Sequence, residues 1–264
     1  MISLGVNSVL FKTVDFATAA KTIKQCGYDG VEISGIQGMC EHLNLAKWKE
    51  DKAELRAISE GLGLPFLATE IASLDRERLL TAFEACAEIG IPIVNCGPGG
   101  QMDNEDSLKA SLEMIQARAE DAEKFGITLC VKAHVGSSVY NTPTSLRMME
   151  YVTSPAFGVD MDPSHIWRAG ENPAVALPAV LPKMKHIHIR DCKGPGPSPG
   201  ESAMQTCGRG EIDLMGYFKA MVEANYNGPV CLEVIGADLD ITSAAIIAAE
   251  SRGYMNACLK ALGK

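Results

Sequence analysis

The chain has 264 residues, 47% of them hydrophobic and 22% charged, and carries a formal charge of −9. That is an ordinary soluble composition with enough apolar material for a large core. An acidic chain without basic runs argues against duplex DNA, RNA or an anionic membrane as main partner, because lysine and arginine supply most of the affinity for all three; an anionic small substrate in a local basic pocket stays open.

The chain starts on a first strand at 2–6 with no basic segment or long apolar stretch ahead of it, so no signal peptide is expected. The residues after it, 6–11, contain no glycine, which disfavours a doubly wound sheet with a phosphate loop at that turn. A helix at 15–25 and the stop signal Gly27 lead to a second strand at 30–34. The pattern then repeats: helix 47–61 and strand 65–70, helix 75–89 and strand 92–96, helix 106–125 and strand 128–133. Strands at 158–162 and 186–191 follow. A Gly/Pro-rich stretch, 194–210, reads as an active-site loop rather than a linker, and helix 213–224 precedes a last strand at 230–235. Eight strands alternating with about eight helices in a chain near ~250 residues predict a (β/α)8 TIM barrel, one α/β domain over 1–264. No apolar run is long enough to cross a bilayer. The nine scattered cysteines, without a C-x-x-C pair, are expected as buried reduced thiols in a cytoplasmic protein.

In such barrels the chemistry sits where the strands end, and successive side chains alternate between the barrel interior and the helix layer. On the fifth strand Leu129, Val131 and Ala133 suit the helix layer, which turns Cys130, Lys132 and His134 inward. By the same rule Asp160 and Asp162 face in on the sixth strand, His186, His188 and Arg190 on the seventh, and Glu233 on the eighth. Asp162, His188 and Glu233 thus converge, joined by Lys132. Two carboxylates and an imidazole suit a divalent ion such as Mn, Co, Mg or Zn, and without a cation two buried carboxylates would be costly.

These stretches resemble the xylose isomerase-like TIM barrel superfamily, the sugar (phosphate) isomerase/epimerase branch that shares its fold with the AP endonuclease family 2. The resemblance is carried by Gly27-Tyr-Asp-Gly-Val-Glu-Ile33, Asp162-Pro-Ser-His165, the H-x-H-x-x-D pattern at 186–191, Gly208-Arg-Gly-Glu-Ile-Asp213 and Leu232-Glu233. It implies a metal held by Asp162, His188 and Glu233, Glu233 also moving protons, and His165 binding substrate or metal. His134 matches a histidine often found just past the fifth-strand glutamate. The family's fourth ligand, that glutamate, maps onto Lys132. Endonuclease IV, of the same fold, has further His and Asp ligands after the seventh strand, and residues 192–210 contain neither.

An ammonium has no lone pair for a metal. Lys132 then has three readings. It acts as acid or base beside a retained ion, with catalytic roles for Lys132 and Glu233. It replaces the ion and polarises a substrate carbonyl itself. Or it forms a structural ion pair in a non-catalytic sugar-binding relative. Arg190, Asp191 and Lys193 at the seventh strand end, with His134, His165 and Glu70, are candidate substrate-binding groups; Glu32 and Glu70 could equally be surface or ion-pair residues. Asn95–Gly100 is a turn that could let a substrate approach backbone. The expected function is a sugar isomerase or epimerase working by proton abstraction next to a carbonyl, with a lyase or dehydratase on a keto-sugar or inosose-like substrate as the alternative. A small carbohydrate is the expected partner, with self-association into a homo-oligomer left open.

Overall fold

The computed structural model describes all 264 residues. Its strands are β1 (Ser3–Asn7), β2 (Gly30–Ile36), β3 (Cys40–Glu41), β4 (Phe66–Glu70), β5 (Ile93–Cys96), β6 (Thr128–Lys132), β7 (Phe157–Asp160), β8 (Met184–Ile189) and β9 (Pro229–Leu232). Eight of them pair in parallel in the order β1-β9-β8-β7-β6-β5-β4-β2, and β1 also pairs with β2, which closes the barrel. The ninth, β3, is an antiparallel appendage of β2 with no counterpart in the predicted set, because two residues are too few to show a period. The fifth to eighth barrel strands are therefore β6 to β9.

The major helices are α1 (Phe16–Gln25), α2 (Trp48–Leu62), α3 (Arg76–Ile89), α4 (Glu105–Glu123), α5 (Thr142–Tyr151), α6 (Pro163–Arg168), α7 (Pro173–Val180), α8 (Leu214–Glu223) and α9 (Ile241–Ala261). Asp15, Asp75 and Asp213, which begin predicted helices, are N-caps whose carboxylates accept from Thr18, Arg78 and Gly216 backbone N–H groups. Gly63 and Gly90 end α2 and α3 in the left-handed region. No helix is long and apolar enough to cross a membrane.

The fifth to eighth barrel strands end short of the expected ends on the site side, whereas β1 and β2 run past theirs. Pro163 opens α6 and Asp162 caps it, accepting from the Ser164 N–H, so β7 stops at Asp160. Arg190, Asp191 and Glu233 likewise lie just past β8 and β9. The alternation holds: Leu129, Val131, Ala133, Ile187, Ile189, Val230, Leu232 and Val234 join the core between sheet and helices.

The barrel interior differs from that core. Its separate apolar cluster is Ala68, Ile93 and Cys130 alone; above it the lumen is filled by ionisable groups. At Gly30 an added Cβ would lie 2.6 Å from Leu67 Cγ and 2.8 Å from the Pro65 carbonyl oxygen. Since backbone cannot yield as a side-chain end can, Gly30→Ala is expected to lower stability by about 1–3 kcal/mol, read from urea unfolding; an unchanged midpoint would show that this strand junction is loosely packed.

Candidate active site

The deeper of two polar layers is built from β2, β5, β7 and β8. Glu32, Asn95, Asp160, His186 and His188 are all 0% exposed. His188 Nε2 lies 2.6 Å from Glu32 Oε2 and its Nδ1 2.6 Å from Asp160 Oδ2. Each ring nitrogen lies against a carboxylate; Nε2 is aligned for a hydrogen bond to Glu32, whereas the contact of Nδ1 with Asp160 Oδ2 is an ion-pair contact without that alignment. Burial works against the charged ring, but Asp160 and Glu32 outweigh it and hold His188 well above its ordinary pKa. Burial likewise works to raise Glu32 and Asp160, yet the two histidines hold both carboxyls below the usual range. Asp160 also accepts from His186 Nδ1 at 3.0 Å and from the His188 N–H at 2.9 Å, and Asn95 Nδ2 donates to Glu32 at 2.7 Å.

The upper layer centres on Lys132. Its Nζ is 3.0 Å from Glu70 Oε1, 3.0 and 3.1 Å from the two oxygens of Glu233, and 3.2 Å from His188 Nδ1. The last is a contact between two cations, held by the four carboxylates around them. Burial would discharge the amine, but Glu233 and Glu70 prevail and keep Lys132 protonated well above its normal range. Arg190, 1% exposed, spans the other side: Nη1 is 3.2 Å from Glu233 Oε2 and Nη2 2.9 Å from Asp162 Oδ2. Its Nε donates to Ser164 Oγ at 2.8 Å, and Nη2 meets His165 Nε2 at 2.9 Å.

The two carboxyls beside Lys132 are driven apart. For Glu233, burial works upward, but Lys132, His188 and Arg190 hold it well below the ordinary value. For Glu70, burial and the Glu233 charge prevail over Lys132 and push it up to about 8. Environments that separate two neighbouring carboxyls in this way make one a base and the other an acid near neutral pH. Asn7 Nδ2 holds the far oxygen of Glu70 at 3.1 Å. A raised carboxyl keeps its proton in the folded chain after the unfolded chain has lost it. Its contribution to stability is present below the unfolded pKa and is lost as pH rises through about 8. The raised His188 acts in the same direction above its own unfolded value. Glu70 by itself is therefore expected to make stability fall between about pH 5 and pH 8, against the opposite slope of the lowered His134 and His165 below their unfolded value, and Glu70→Gln to remove that fall, read as the difference between the two proteins in denaturant unfolding across pH. Parallel slopes in the two proteins would show that Glu70 does not hold a proton in the folded state.

Lys132, Glu70, Glu233, Arg190, His134 and His165 line one cleft of about 340 Å³ at the strand C-termini, with Gly97 and Gly99 on its far wall. The Asn95–Gly100 turn thus does bring backbone to the cavity. His134 and His165 stack with centroids 4.1 Å apart. Burial, reinforced by nearby cations, keeps both rings below their ordinary pKa and so neutral. Asp191 is placed otherwise: its carboxylate accepts from the N–H groups of Cys192, Gly208 and Ile212 and organises the long loop rather than lining the cleft. Lys193 is exposed on the rim. A cleft of about 390 Å³ opens at the N-terminal end of the barrel, lined by Leu4, Asp29, Tyr226 and Arg252, away from these groups.

The role of Glu32 was undecided in the sequence, Ser164 entered only as part of the 162–165 motif, and Asn7 and Arg168 gave no signal there. Arg168 stands behind His165, its Nη2 2.8 Å from His165 Nδ1 and its Nη1 donating to the Pro197 carbonyl at 2.8 Å, and so ties the loop to the site.

Three buried sets have donor atoms within 4.8 Å of one another and could hold a metal ion: Glu32, His186 and Cys231; Asp160, His186 and His188; Glu32, Glu70 and His188. The trio expected from the resemblance is not among them. Both nitrogens of His188 face carboxylates, both oxygens of Glu233 face Lys132, and Asp162 is shared between Ser164 and Arg190. An ion among these three would meet two protonated cations. At 4 Å and an effective dielectric near 20, a divalent ion beside one ammonium costs roughly 8 kcal/mol. The residues at this position do not fit the family's ion.

A family model described as xylose isomerase-like TIM barrel matches residues 20–258. A putative L-ribulose-5-phosphate 3-epimerase of Escherichia coli (strain K12) is 23% identical over 253 residues, covering 88% of each chain. An inosose dehydratase of Clostridium beijerinckii is 22% identical over 251 residues, covering 85% of this chain and 83% of its own. Among solved structures, a D-tagatose 3-epimerase-like protein superposes with a TM-score of 0.79 at 16% identity, covering 99% of this chain and 98% of that one. An L-ribulose 3-epimerase does so with a TM-score of 0.78 at 17% identity, covering 99% and 95%. With the closed barrel and the strand-end site in place, the chain belongs to the xylose isomerase-like TIM barrel family.

Proposed function

We propose that this protein is an isomerase or epimerase that transfers protons at the carbon next to the carbonyl of a small sugar or sugar derivative. The observation that carries this reading is the Lys132 ammonium held at 3.0 Å from both Glu70 and Glu233 on the floor of the cleft. Glu233, the ionised carboxyl, takes the proton from carbon. Lys132, joined by Arg190, faces the oxygen on which negative charge develops and steadies the enolate. Glu70, which keeps its proton near neutral pH, returns one. Delivery to the opposite face of the same carbon inverts it; delivery to the neighbouring carbon exchanges aldose and ketose. His134 offers a neutral ring to substrate hydroxyls, while His165, engaged at both nitrogens by Arg190 and Arg168, holds Arg190 in place. Arg190 Nη1, buried 3.2 Å from Glu233 without an aligned hydrogen bond, would take a substrate oxygen only in place of that contact. Asp191 acts by holding the long loop, and exposed Lys193 remains a candidate for substrate contact. No step passes through an ion, because Glu233 and Asp162, two of the donors expected to hold one, are paired with Lys132 and Arg190.

A dehydratase is the second reading. It begins with the same proton abstraction, and the Glu70 proton then goes to a departing β-hydroxyl. The alignment with an inosose dehydratase over most of both chains favours keeping it. Nine free cysteines, eight of them buried, support a reducing cytoplasm as the setting, and the sugar-epimerase relatives support a place in carbohydrate metabolism.

The test is incubation with ketopentoses, ketohexoses and keto-inositols in D₂O. The reading predicts deuterium uptake next to the carbonyl of at least one of them, with inversion, isomerisation or loss of water. No uptake from any of them would leave a binding role in its place.

A further inference from the structure

We propose that Lys132 and Arg190 together take the place of a divalent cation, so that the site works as a metal-independent one. Three observations carry this. The Lys132 ammonium sits between the carboxylates of β4 and β9 and within 3.2 Å of His188, at the point where strand-end donors converge. The Arg190 guanidinium bridges Asp162 and Glu233 at 2.9 and 3.2 Å, joining with organic N–H donors the two acidic groups that an ion would join. And His188, within 2.6 Å of a carboxylate oxygen at each ring nitrogen, has its Nδ1 covered on the cleft side by the Lys132 ammonium at 3.2 Å.

Each of the carboxyls Glu70, Glu233 and Asp162 is thus in contact with a fixed positive charge, so a further cation entering between them would meet Lys132 or Arg190 at every donor. The exchange also changes what the site can do. An ion accepts two substrate oxygens as ligands at once, whereas Lys132 and Arg190 hydrogen-bond in set directions from opposite sides of Glu233. Substrate is then oriented by where those N–H groups point, and Glu233 lies between the two groups that polarise it. What the cations do rests on the proton-transfer reading above; that they stand in for an ion does not.

The experiment is metal analysis of the protein purified without chelator, paired with Mn²⁺ titration followed by electron paramagnetic resonance and by melting temperature. Wild type is expected to carry well under one ion per chain, to leave the Mn²⁺ spectrum unchanged and to show no melting shift. Lys132→Glu, which adds a carboxylate and removes a cation, is expected to bind Mn²⁺ and to melt several degrees higher with it than without. One tightly held ion per wild-type chain, released in Asp162→Asn or Glu233→Gln, overturns the proposal. A Lys132→Glu protein that folds but ignores Mn²⁺ also counts against it. If that variant does not fold at all, the wild-type ion content decides. Deuterium exchange run with and without EDTA separates the two ideas. Exchange that survives EDTA supports both. Exchange that needs an added ion overturns this one alone. A metal-free protein inert toward every substrate overturns the proton-transfer reading alone.

Discussion

Lys132→Met is expected to destabilise the folded chain by about 3–5 kcal/mol near neutral pH, the usual cost of removing one partner of a buried ion pair. Methionine keeps the length and the apolar stem, so the packing change is small and the loss is electrostatic. Without the ammonium, Glu70 and Glu233 face one another at the barrel mouth with Arg190 as the one remaining cation touching Glu233. In a chain of this size the loss corresponds to a melting temperature lower by roughly 10 °C. It should also depend on pH. As pH falls toward 5, Glu70, already inclined to hold its proton at about 8, becomes fully neutral and wants no partner. The gap between variant and wild type then narrows. Melting curves at pH 5 and pH 8 measure both effects. A variant as stable as wild type at pH 8 would mean that the carboxyls do not depend on Lys132, and the account of the site as an ionic centre would fall with it.

How much of this centre could be read in the sequence follows from what alternation encodes. Period-two patterning in short strands says which side chains enter the barrel, and it placed Lys132, His186, His188 and Glu233 there because their neighbours are aliphatic. Alternation says nothing about depth or partner. His188 meets Glu32 across 156 positions of chain, and Lys132 meets Glu233 across 101; no local pattern carries such a pairing. Glu32 and Glu70 were therefore equally readable as surface groups, although both are buried. Asp191 shows the converse limit. Its position after a strand end is that of a substrate ligand, yet the Gly-rich loop folds back and fills its oxygens with N–H groups, which only the closed loop reveals. Lys132 stood out in the sequence because it departs from the family's pattern, and the structure adds Arg190 as the second cation that makes this departure coherent.

The division of labour between the two carboxyls gives the other large expected effect. If Glu233 is the base, Glu233→Gln removes the group that takes the proton from carbon, and both deuterium uptake and conversion should fall by ~10²–10⁴. Glu70→Gln leaves that base in place, paired with Lys132 at 3.0 Å. Carbon can still lose its proton to Glu233 and regain one from the same side, so deuterium enters the substrate while inversion or dehydration stops. This split is a stronger test than either loss alone, because a merely structural glutamate would depress both measurements together. It also separates the two readings of the reaction. A dehydratase with Glu70→Gln should still exchange its proton but release no unsaturated product, whereas an epimerase should return labelled substrate of unchanged configuration. Nuclear magnetic resonance of the substrate in D₂O reads label position and configuration in one spectrum. Equal loss of exchange and conversion in Glu70→Gln would remove that residue from the reaction. Its raised pKa would then reflect only the proximity of Glu233 in a closed space, and the returning proton would have to come from Lys132, the one other donor in contact with both carboxyls.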